Sequence, residues 1–321
     1  MTELMKGVQI HKYGGPGVLN YEEVSRPKPK EDELLVRVYA AGVNPADWQI
    51  RSGKRARLKE PFSFIPGFDV SGVVETAGDN VDSFEAGEAV YGMLRNGGGY
   101  AQYVAIGAAD AARKPKSLDH IQAAALPVVS LTAWQSLFGA AELSAGQKVL
   151  IHAAAGGVGH IAVQLAKWKG AYVIGTASGR NEDFLHSIGV DEFINYKKTR
   201  FECIAQDVDV VLDAVIRDAG PLLNYAAEQT LKRSWKILKK NGILVSICAE
   251  PSTEIASAYG VCGKYVRAQP NAQQLAEIAE LIDSGHIRPF ISQVLSLKEA
   301  DKAHKLSQKG HTRGKIVLKV I

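Results

Sequence analysis

The chain has 321 residues, of which 46% are hydrophobic and 22% charged, an ordinary balance for a globular protein large enough for two domains. The net charge is +4, but Lys and Arg are spread along the whole chain, which argues against a nucleic-acid partner. The densest basic run, residues 51–59, is interpreted as a solvated loop. No run approaches the about 18 apolar residues of a membrane span, so no membrane partner is expected. Three cysteines without a CxxC pair predict a cytoplasmic location rather than a disulfide framework.

Residues 1–125 consist of short β-rich runs separated by turns that contain Gly, Pro or Asn. The runs are GVQIHKYG, LNYEEVSRP, ELLVRVYAAGV, SGVVETAG, EAVYGML and YAQYVAI. This pattern predicts a mostly antiparallel β-barrel domain. Residues 268–321 contain an amphipathic helix and the closing strand GKIVLKV, which we expect to return to this first domain.

Strands and helices alternate in residues 126–267, which predicts a parallel sheet built from βαβ units. The first unit is the strand KVLIHAA followed by the helix GHIAVQLAKWKG, whose apolar residues recur at helical spacing. A long helix is predicted through AEQTLKRSWKILKKNG, with Asn241-Gly242 as its left-handed C-cap.

Small residues occupy the turn between that first strand and helix. Ala153, Gly156 and Gly159 have the spacing A-x-x-G-x-x-G, a relative of the dinucleotide-binding fingerprint in its required strand–turn–helix context. Such a turn lets a pyrophosphate approach the backbone and the N–H groups at the helix N-terminus. No G-K-[ST] follows, which argues against a P-loop. The turn residues expected to face the cofactor are Ala155, Gly156, Gly157 and Val158.

The end of the next strand distinguishes NADP from NAD. An NAD site places an acid about 20 residues after the glycine turn to bind the ribose hydroxyls. Here that place holds Ser178, and Arg180 follows it. A hydroxyl and a guanidinium suit a 2′-phosphate, so the cofactor is predicted to be NADPH (NADP+). The alternative for Arg180 is an ordinary surface charge.

Six motifs occur in an order and spacing that the chain shares with a known family. They are YGGPGVLNYEEV, AGVNPADWQIRSG, FIPGFDVSGVV, AALPVVSLTAWQSL, AGQKVLIHAAAGGVG and TRGKIVL. With them the chain resembles, over essentially its full length, the zinc-free quinone oxidoreductase branch of the medium-chain dehydrogenase/reductase superfamily.

The resemblance implies an α/β fold with two domains. Residues 1–125 and 268–321 are expected to form a GroES-like substrate and catalytic domain, and residues 126–267 a Rossmann-type doubly wound parallel sheet that binds NADP. It also implies a small-molecule quinone or enone substrate and a homodimer formed through the edge of the cofactor sheet.

No metal site is expected. Zinc-dependent relatives carry a Cys ligand in the segment that matches GVNPADW and a His-Glu pair in the segment that matches GFDVSG. This chain has Asn44 or Pro45 in the first segment and Phe68-Asp69 in the second. A catalytic zinc needs three protein ligands, and a structural zinc site usually needs four cysteines. The first domain contains no cysteine, so neither ligand set can be assembled.

Asn44 and Asp47 match the family positions nearest the nicotinamide and the substrate. Asn44 is predicted to donate its amide N–H to a developing enolate oxygen; the alternative is a turn residue before Pro45. Asp47 is predicted to order the loop or a water rather than donate a proton, because an ordinary carboxyl is ionised at pH 7.

Three further residues match family positions beside the cofactor. They are Thr132, Tyr196 and Lys315, and Arg313 lies near Lys315 in the same segment. The alternative for Thr132 is a buried threonine in a helix, and the alternative for Tyr196 is an aromatic side chain in the core. For Lys315 and Arg313 the alternative is a pair of surface bases.

One departure from the family is the turn after the fourth strand of the cofactor sheet, which holds Val215, Ile216 and Arg217 where the family usually has glycines. Bulk there is expected to narrow the cleft, to reposition the nicotinamide or to bring Arg217 near a phosphate.

The predicted function is hydride transfer from NADPH to a quinone or an α,β-unsaturated carbonyl, without metal. The alternative is a non-catalytic NADPH-binding protein with a structural or regulatory role. Zinc alcohol dehydrogenase and methyltransferase activities are disfavoured, the first by the missing ligands and the second by the full-length family order.

Overall fold

The computed structural model of the chain describes residues 3–55, 63–217 and 220–321, so residues 56–59 of the basic run lie outside the described residues. The chain divides into two compact units. The first comprises Met1–Leu131, Gln269–Gly285 and Pro289–Ile321, and the second comprises Thr132–Ala268 and His286–Arg288. Among the residues described, no helix combines the length and the apolar character that a membrane crossing requires.

The strands follow the β-rich runs of the sequence. In chain order they are β1 (Leu4–Gln9), β2 (Asn20–Ser25), β3 (Glu33–Val43), β4 (Asp69–Ala77), β5 (Ala89–Met93), β6 (Tyr103–Gly107), β7 (Ala111–Arg113), β8 (Lys148–Ile151), β9 (Tyr172–Ala177), β10 (Glu192–Asn195), β11 (Val208–Asp213), β12 (Leu238–Ser246), β13 (Cys262–Tyr265), β14 (Ile291–Ser296) and β15 (Lys315–Lys319).

The helices lie mainly in the second half of the chain. They are α1 (Pro45–Arg51), α2 (His120–Ala124), α3 (Pro127–Trp134), α4 (Gly157–Trp168), α5 (Glu182–Ser187), α6 (Pro221–Ser234), α7 (Thr253–Tyr259), α8 (Ala272–Asp283) and α9 (Ala300–Gln308).

The first unit is built on a mostly antiparallel sheet with the strand order β14-β15-β3-β4-β5-β7, in which β6 also pairs with β3 and β1 pairs with β2 apart from it. The long strand β3 is central because β15, β4 and β6 all pair with it. Its inward side chains, among them Leu34, Val36 and Val38, are fully buried against β4 and β5. This arrangement confirms the predicted antiparallel β domain.

The second unit is built on a parallel sheet with the strand order β10-β9-β8-β11-β12-β13. Numbered within the unit, this order is 3-2-1-4-5-6, that of a doubly wound dinucleotide-binding sheet, and it confirms the predicted fold class. The apolar stripe predicted on α4 packs inward, since Ile161, Ala162, Leu165 and Ala166 are all fully buried.

The prediction of one long helix through Asn241 is correct for its first half and wrong for its second half. Helix α6 ends at Ser234, and β12 begins at Leu238 after one short 3₁₀ turn. Asn241 does have the left-handed conformation, with φ 64°, but it lies within β12, where the register to β11 shifts. Burial of Trp235 and Ile237 in the core, with 2% and 1% exposure, overrides the helical preference of the lysines that follow.

A prediction follows from the packing of α4 on the turn before it. A Cβ atom at Gly159 would lie 2.3 Å from the carbonyl oxygen of Ala153 and 2.7 Å from Cα of Ala154, both of them backbone atoms that cannot rotate away. We expect Gly159→Ala to lower the free energy of unfolding by about 1–3 kcal/mol, measured by urea titration. Gly139→Ala is the control, because nothing lies within 4 Å of its Cβ position. Equal stability of the two variants would contradict this packing argument.

Candidate active site and cofactor site

Three neighbouring strands of the first unit bring Asn44, Asp69 and Lys315 to one end of the sheet. β15 runs antiparallel to β3 with Ile316 opposite Val43, so Lys315 lies across from Asn44. β4 begins at Asp69 and runs antiparallel to β3 on its other side. Residues just beyond the end of β3 therefore meet residues at the start of both neighbouring strands.

These three residues form what we call the lysine–aspartate cluster. The Lys315 ammonium donates to Asn44 Oδ1 at 2.6 Å, to the Val43 carbonyl at 3.0 Å and to Asp69 Oδ2 at 3.1 Å. Asp69 Oδ2 also accepts from Asn44 Nδ2 at 2.7 Å, and its other oxygen accepts from the Val128 N–H at 2.6 Å. Exposure is 2% for Asn44, 0% for Asp69 and 3% for Lys315. The interpretation of Lys315 as a surface base is therefore wrong, while its predicted contact with the cofactor stays a prediction.

Asp47 orders the loop around Asn44. Asn44 is the N-cap of α1, and its backbone N–H donates to Asp47 Oδ2 at 2.6 Å. The same carboxyl accepts from the Gly67 N–H at 3.1 Å and from the Tyr100 hydroxyl at 3.2 Å. Asp47 therefore ties the start of α1 to the segment before β4. Asn44 lies before Pro45 as the turn interpretation requires, and its side chain also belongs to the cluster.

The electrostatic state of Asp47 differs from the expectation. The side chain is fully buried, and burial raises its pKa from 3.8 to about 7, although the hydrogen bond from the Asn44 N–H opposes the shift. The nearby Asp69 carboxylate adds to the increase and Lys315 subtracts from it. The pKa of Asp47 is thus raised above that of the ordinary carboxyl assumed from the sequence, because desolvation penalises the charged form.

Tyr100 and His304 extend this buried group and were missed by the sequence analysis. His304 Nε2 lies 3.3 Å from the Tyr100 hydroxyl, which donates to Asp47. Burial, together with the charge of Arg51, lowers the pKa of His304 to about 3, so the ring is neutral. A signal was present: His304 continues the i, i+3, i+4 spacing of Ala300 and Ala303 on the buried face of α9.

The glycine turn of the second unit leads from β8 into α4. Gly156 is the N-cap of α4, and its N–H donates to the Ala153 carbonyl at 2.8 Å, which closes the turn. A Cβ atom at position 156 would lie 3.1 Å from that same oxygen. The first N–H groups of α4, beginning at Gly157 and Val158, have no partner within the helix and provide a site for an anion.

Two further residues complete the turn. Ala155, predicted to face the cofactor, is 5% exposed. The buried His160 ring was not predicted; its Nδ1 donates to the Gly156 carbonyl at 2.8 Å and holds the turn against the first turn of α4. The geometry therefore fits a pyrophosphate, since a tight backbone turn is fixed directly before a helix of 12 residues.

The residues predicted to read the ribose lie at the ends of two neighbouring strands. Ala177 at the end of β9 pairs with Asn195 at the end of β10, so Ser178 and Tyr196 follow side by side. Arg180 is exposed in the short 3₁₀ turn after Ser178. Tyr196 is 53% exposed, so the interpretation as a core aromatic is wrong. The three side chains can approach one ligand at this corner of the sheet.

Thr132 lies in α3 and is 6% exposed, which agrees with the alternative of a buried threonine in a helix. Its contact with the cofactor therefore stays a prediction.

The unusual turn after β11 is anchored on Asp213. Its buried carboxyl accepts from the Val215 N–H at 3.2 Å and from the Ser246 hydroxyl at 3.0 Å. The Arg217 guanidinium lies 3.7 Å from the same carboxyl. Burial raises the pKa of Asp213, and the hydrogen bonds and Arg217 partly offset this. Arg217 thus faces a carboxylate of its own turn, and the expectation that it lies near a phosphate stays a prediction.

Comparison with protein families matches both parts of the chain. The alcohol dehydrogenase GroES-like domain matches residues 30–116, and a family described as zinc-binding dehydrogenase matches residues 188–318. Among curated proteins, the chloroplast envelope quinone oxidoreductase homolog of Arabidopsis thaliana is 33% identical and the quinone oxidoreductase of Sus scrofa 31% identical, each over 98% of both chains.

Solved structures agree with these relatives. The quinone oxidoreductase from Coxiella burnetii has a TM-score of 0.90 and 35% identity over 99% of this chain and all of that chain. The Escherichia coli quinone oxidoreductase complexed with NADPH has a TM-score of 0.85 and 29% identity over 98% of this chain and 100% of that chain.

The fold and the matches define an oxidoreductase of the medium-chain dehydrogenase/reductase superfamily, with a GroES-like domain and a Rossmann-type domain. Within that superfamily the chain belongs to the quinone oxidoreductase branch, which confirms the resemblance seen in the sequence.

A zinc ion, which one matched family name implies, does not fit the residues present. Asp69 is the one carboxylate in the lysine–aspartate cluster, and it already accepts hydrogen bonds from an ammonium, an amide and a backbone N–H. A cationic side chain within 3.1 Å of the carboxylate opposes a second cation there. In the described parts of the chain, no group of three or more His, Cys, Asp and Glu side chains could hold a metal ion.

The raised pKa of Asp47 predicts a pH dependence of stability. The folded chain binds the Asp47 proton more tightly than the unfolded chain, so this contribution is fully present below pH 3.8 and is lost as the pH rises to about 7. Asp47→Asn removes it. We expect the free energy of unfolding of the wild type, relative to D47N, to fall by up to about 4 kcal/mol over this interval, measured by urea titration at a series of pH values.

Asp301→Asn is the control for that measurement. The hydrogen bond from Lys305 lowers the pKa of Asp301, so its contribution is complete above pH 3.8 and changes only at lower pH. The difference between the wild type and D301N should stay flat where that for D47N falls. A flat profile for D47N would show that Asp47 has no raised pKa.

Proposed function

We propose that this protein is an NADPH-dependent reductase that transfers a hydride to a quinone or an α,β-unsaturated carbonyl compound without a metal ion. The observation that carries the proposal is the Asn44 amide, a neutral hydrogen-bond donor held rigidly by Asp69 and Lys315. A donor of this kind suits an acceptor whose negative charge develops on an oxygen atom. The full-length similarity to quinone oxidoreductases supports the same class of acceptor.

The choice of NADPH is supported by the corner that Ser178, Arg180 and Tyr196 occupy. A hydroxyl and a guanidinium stand where an NAD enzyme has a carboxylate, and a 2′-phosphate dianion binds best to such donors. The Escherichia coli relative forms a complex with NADPH. The fixed turn at Gly156 and the N-terminus of α4 support binding of the pyrophosphate.

When bound, the nicotinamide supplies the hydride. The chain's own residues orient the acceptor and stabilise the charge that forms on it. Asn44 Nδ2 carries two hydrogens, one of which donates to Asp69, and the other is the donor that we assign to the acceptor oxygen. Asp47 holds the backbone of Asn44 in place. In a quinone or enone the incoming charge is delocalised onto that oxygen, so one aligned donor contributes to catalysis without a Lewis acid.

A homodimer and a cytoplasmic location belong to the same proposal. The edge strand β13 pairs on one side with β12, and most of its residues are exposed, which leaves backbone groups for pairing with a second copy. None of the three cysteines, all of which the structure describes, forms a disulfide, which suits a reducing compartment.

The test of the reaction is NADPH oxidation, followed by absorbance, against a panel of ortho- and para-quinones, enals and enones. We expect steady turnover with at least one conjugated acceptor and none with a simple saturated ketone. NADPH binding without turnover on any acceptor would instead favour a non-catalytic NADPH-binding protein. Turnover that a chelator abolishes and zinc restores would overturn the metal-free chemistry.

Arg180→Ala tests the choice of cofactor. Loss of a charged hydrogen bond to the 2′-phosphate should raise the Kd of NADPH by about 10- to 100-fold and leave that of NADH unchanged, as measured by calorimetry. Arg200→Ala is the matched control, since Arg200 pairs with Glu202 on the surface. Equal losses for both cofactors would show that Arg180 does not read the 2′-phosphate.

A further inference from the structure

We infer that Lys315 is the positioning residue that makes the Asn44 amide a hydrogen-bond donor toward the acceptor. The inference rests on the proposed function of Asn44 and adds a specific cause for it. A buried ammonium, contributed by a strand 271 residues away in sequence, fixes the rotation of the Asn44 amide.

The rotation follows from which atoms can donate. A lysine ammonium only donates hydrogen bonds and an ionised carboxylate only accepts them. The Asn44 atom 2.6 Å from Lys315 Nζ must therefore be Oδ1, and the atom 2.7 Å from Asp69 Oδ2 must be Nδ2. The flipped amide would set N–H groups against the ammonium and oxygen against the carboxylate. The ion pair of Lys315 and Asp69 thus selects a single amide orientation.

The hydrogen bonds of Lys315 exclude a direct hydrogen bond from its ammonium to the acceptor in this arrangement. Its three N–H groups have three acceptors within 3.1 Å, which are Val43 O, Asn44 Oδ1 and Asp69 Oδ2. These three acceptors use every N–H of the ammonium, so none is left for the acceptor. Its effect on the acceptor must therefore pass through Asn44.

The carboxylate limits what the charge of the ammonium adds to the donor. A positive charge 2.6 Å from Oδ1 draws electron density from the amide nitrogen, whereas the Asp69 carboxylate, which accepts from Nδ2 at 2.7 Å, acts in the opposite direction. The contribution of Lys315 is therefore the orientation of the amide, which fixes the direction of the remaining N–H before an acceptor oxygen gains negative charge.

The backbone holds Lys315 in this place. Gly314 has φ 59°, and a Cβ atom there would lie 2.1 Å from the Phe290 carbonyl. The Lys315 N–H donates to that same carbonyl at 2.8 Å. The left-handed glycine therefore lets β15 begin close to the segment before β14, which starts the strand at the residue facing Asn44.

The experiment compares Lys315→Met, Asn44→Ala and the double variant, using NADPH and the quinone or enone that the wild-type protein reduces best. We expect K315M to lower kcat by about 10- to 100-fold and to change the Kd of NADPH by less than about twofold. In the N44A background, K315M should cause no further loss of kcat. Lys319→Met, an exposed lysine of the same strand, is the matched control and should retain wild-type kcat.

Two results would overturn the inference. One is an equal loss of kcat from K315M in the presence and absence of Asn44, which would mean that Lys315 acts without the amide. The other is a tenfold or larger rise in the Kd of NADPH for K315M, which would make Lys315 a cofactor ligand. If K315M alone fails to fold because Asp69 is left unpaired, Asp69→Asn combined with Lys315→Met restores neutrality and carries the same comparison.

A readout independent of turnover separates this inference from the proposed reaction. In ¹⁵N-labelled wild-type protein the Asn44 side-chain NH₂ signals, assigned by their loss in N44A, should be shifted from free-amide values and slow to exchange. In K315M they should move toward free-amide values and exchange at least tenfold faster, and if K315M does not fold, the same difference is expected between D69N/K315M and D69N. Unchanged signals would overturn the inference even if the enzyme reduces quinones. Changed signals without any turnover would support it and reject the reaction.

Discussion

The buried pairing of Lys315 with Asp69 is the interaction on which the first unit depends. It joins the starts of β15 and β4 across the end of β3, with exposures of 3% and 0%. Two charges withdrawn from water are tolerated only when their hydrogen bonds are complete, and here the carboxylate has three donors and the ammonium three acceptors. The closing strand β15, which lies between β14 and β3, is therefore part of the site.

The two candidate sites use different physical means. In the second unit, small residues and a helix N-terminus present backbone N–H groups, so what matters is the space left by absent side chains at Gly156 and Gly159. In the first unit, the side chains themselves are the site, and burial sets their charge. A site made of backbone N–H groups places few limits on the side chains around it. A buried charged cluster, in contrast, permits few orientations of the Asn44 side chain. Under the proposed function, specificity for the cofactor and alignment of the acceptor are thus carried by separate parts of the chain.

Local patterns in the sequence predict most of the fold, because the residues that specify each element lie close together in the sequence. The glycine turn and the buried stripe on α4 are both specified within residues 153–166, and both are present in the structure. The helix predicted through Asn241 failed because Trp235 and Ile237 are drawn into the core of the sheet, a tertiary effect that overrides local propensity. The environment of Lys315 could not be predicted, since Asn44 and Asp69 lie 271 and 246 residues away and meet it only through strand register.

The proposed acceptors follow from the strength of the available electrophile. Under the proposed function, Asn44 offers one N–H whose direction is fixed by a buried ion pair, and such a donor is a weaker electrophile than a metal ion bound directly to the acceptor oxygen. A saturated ketone concentrates the incoming charge on its carbonyl and needs the stronger electrophile. A quinone or enone distributes the charge through conjugation, so the remaining stabilisation lies within the reach of a single aligned donor. A donor whose orientation is fixed before the acceptor arrives costs no reorganisation during the reaction, and the buried pair of Lys315 and Asp69 provides that fixed orientation.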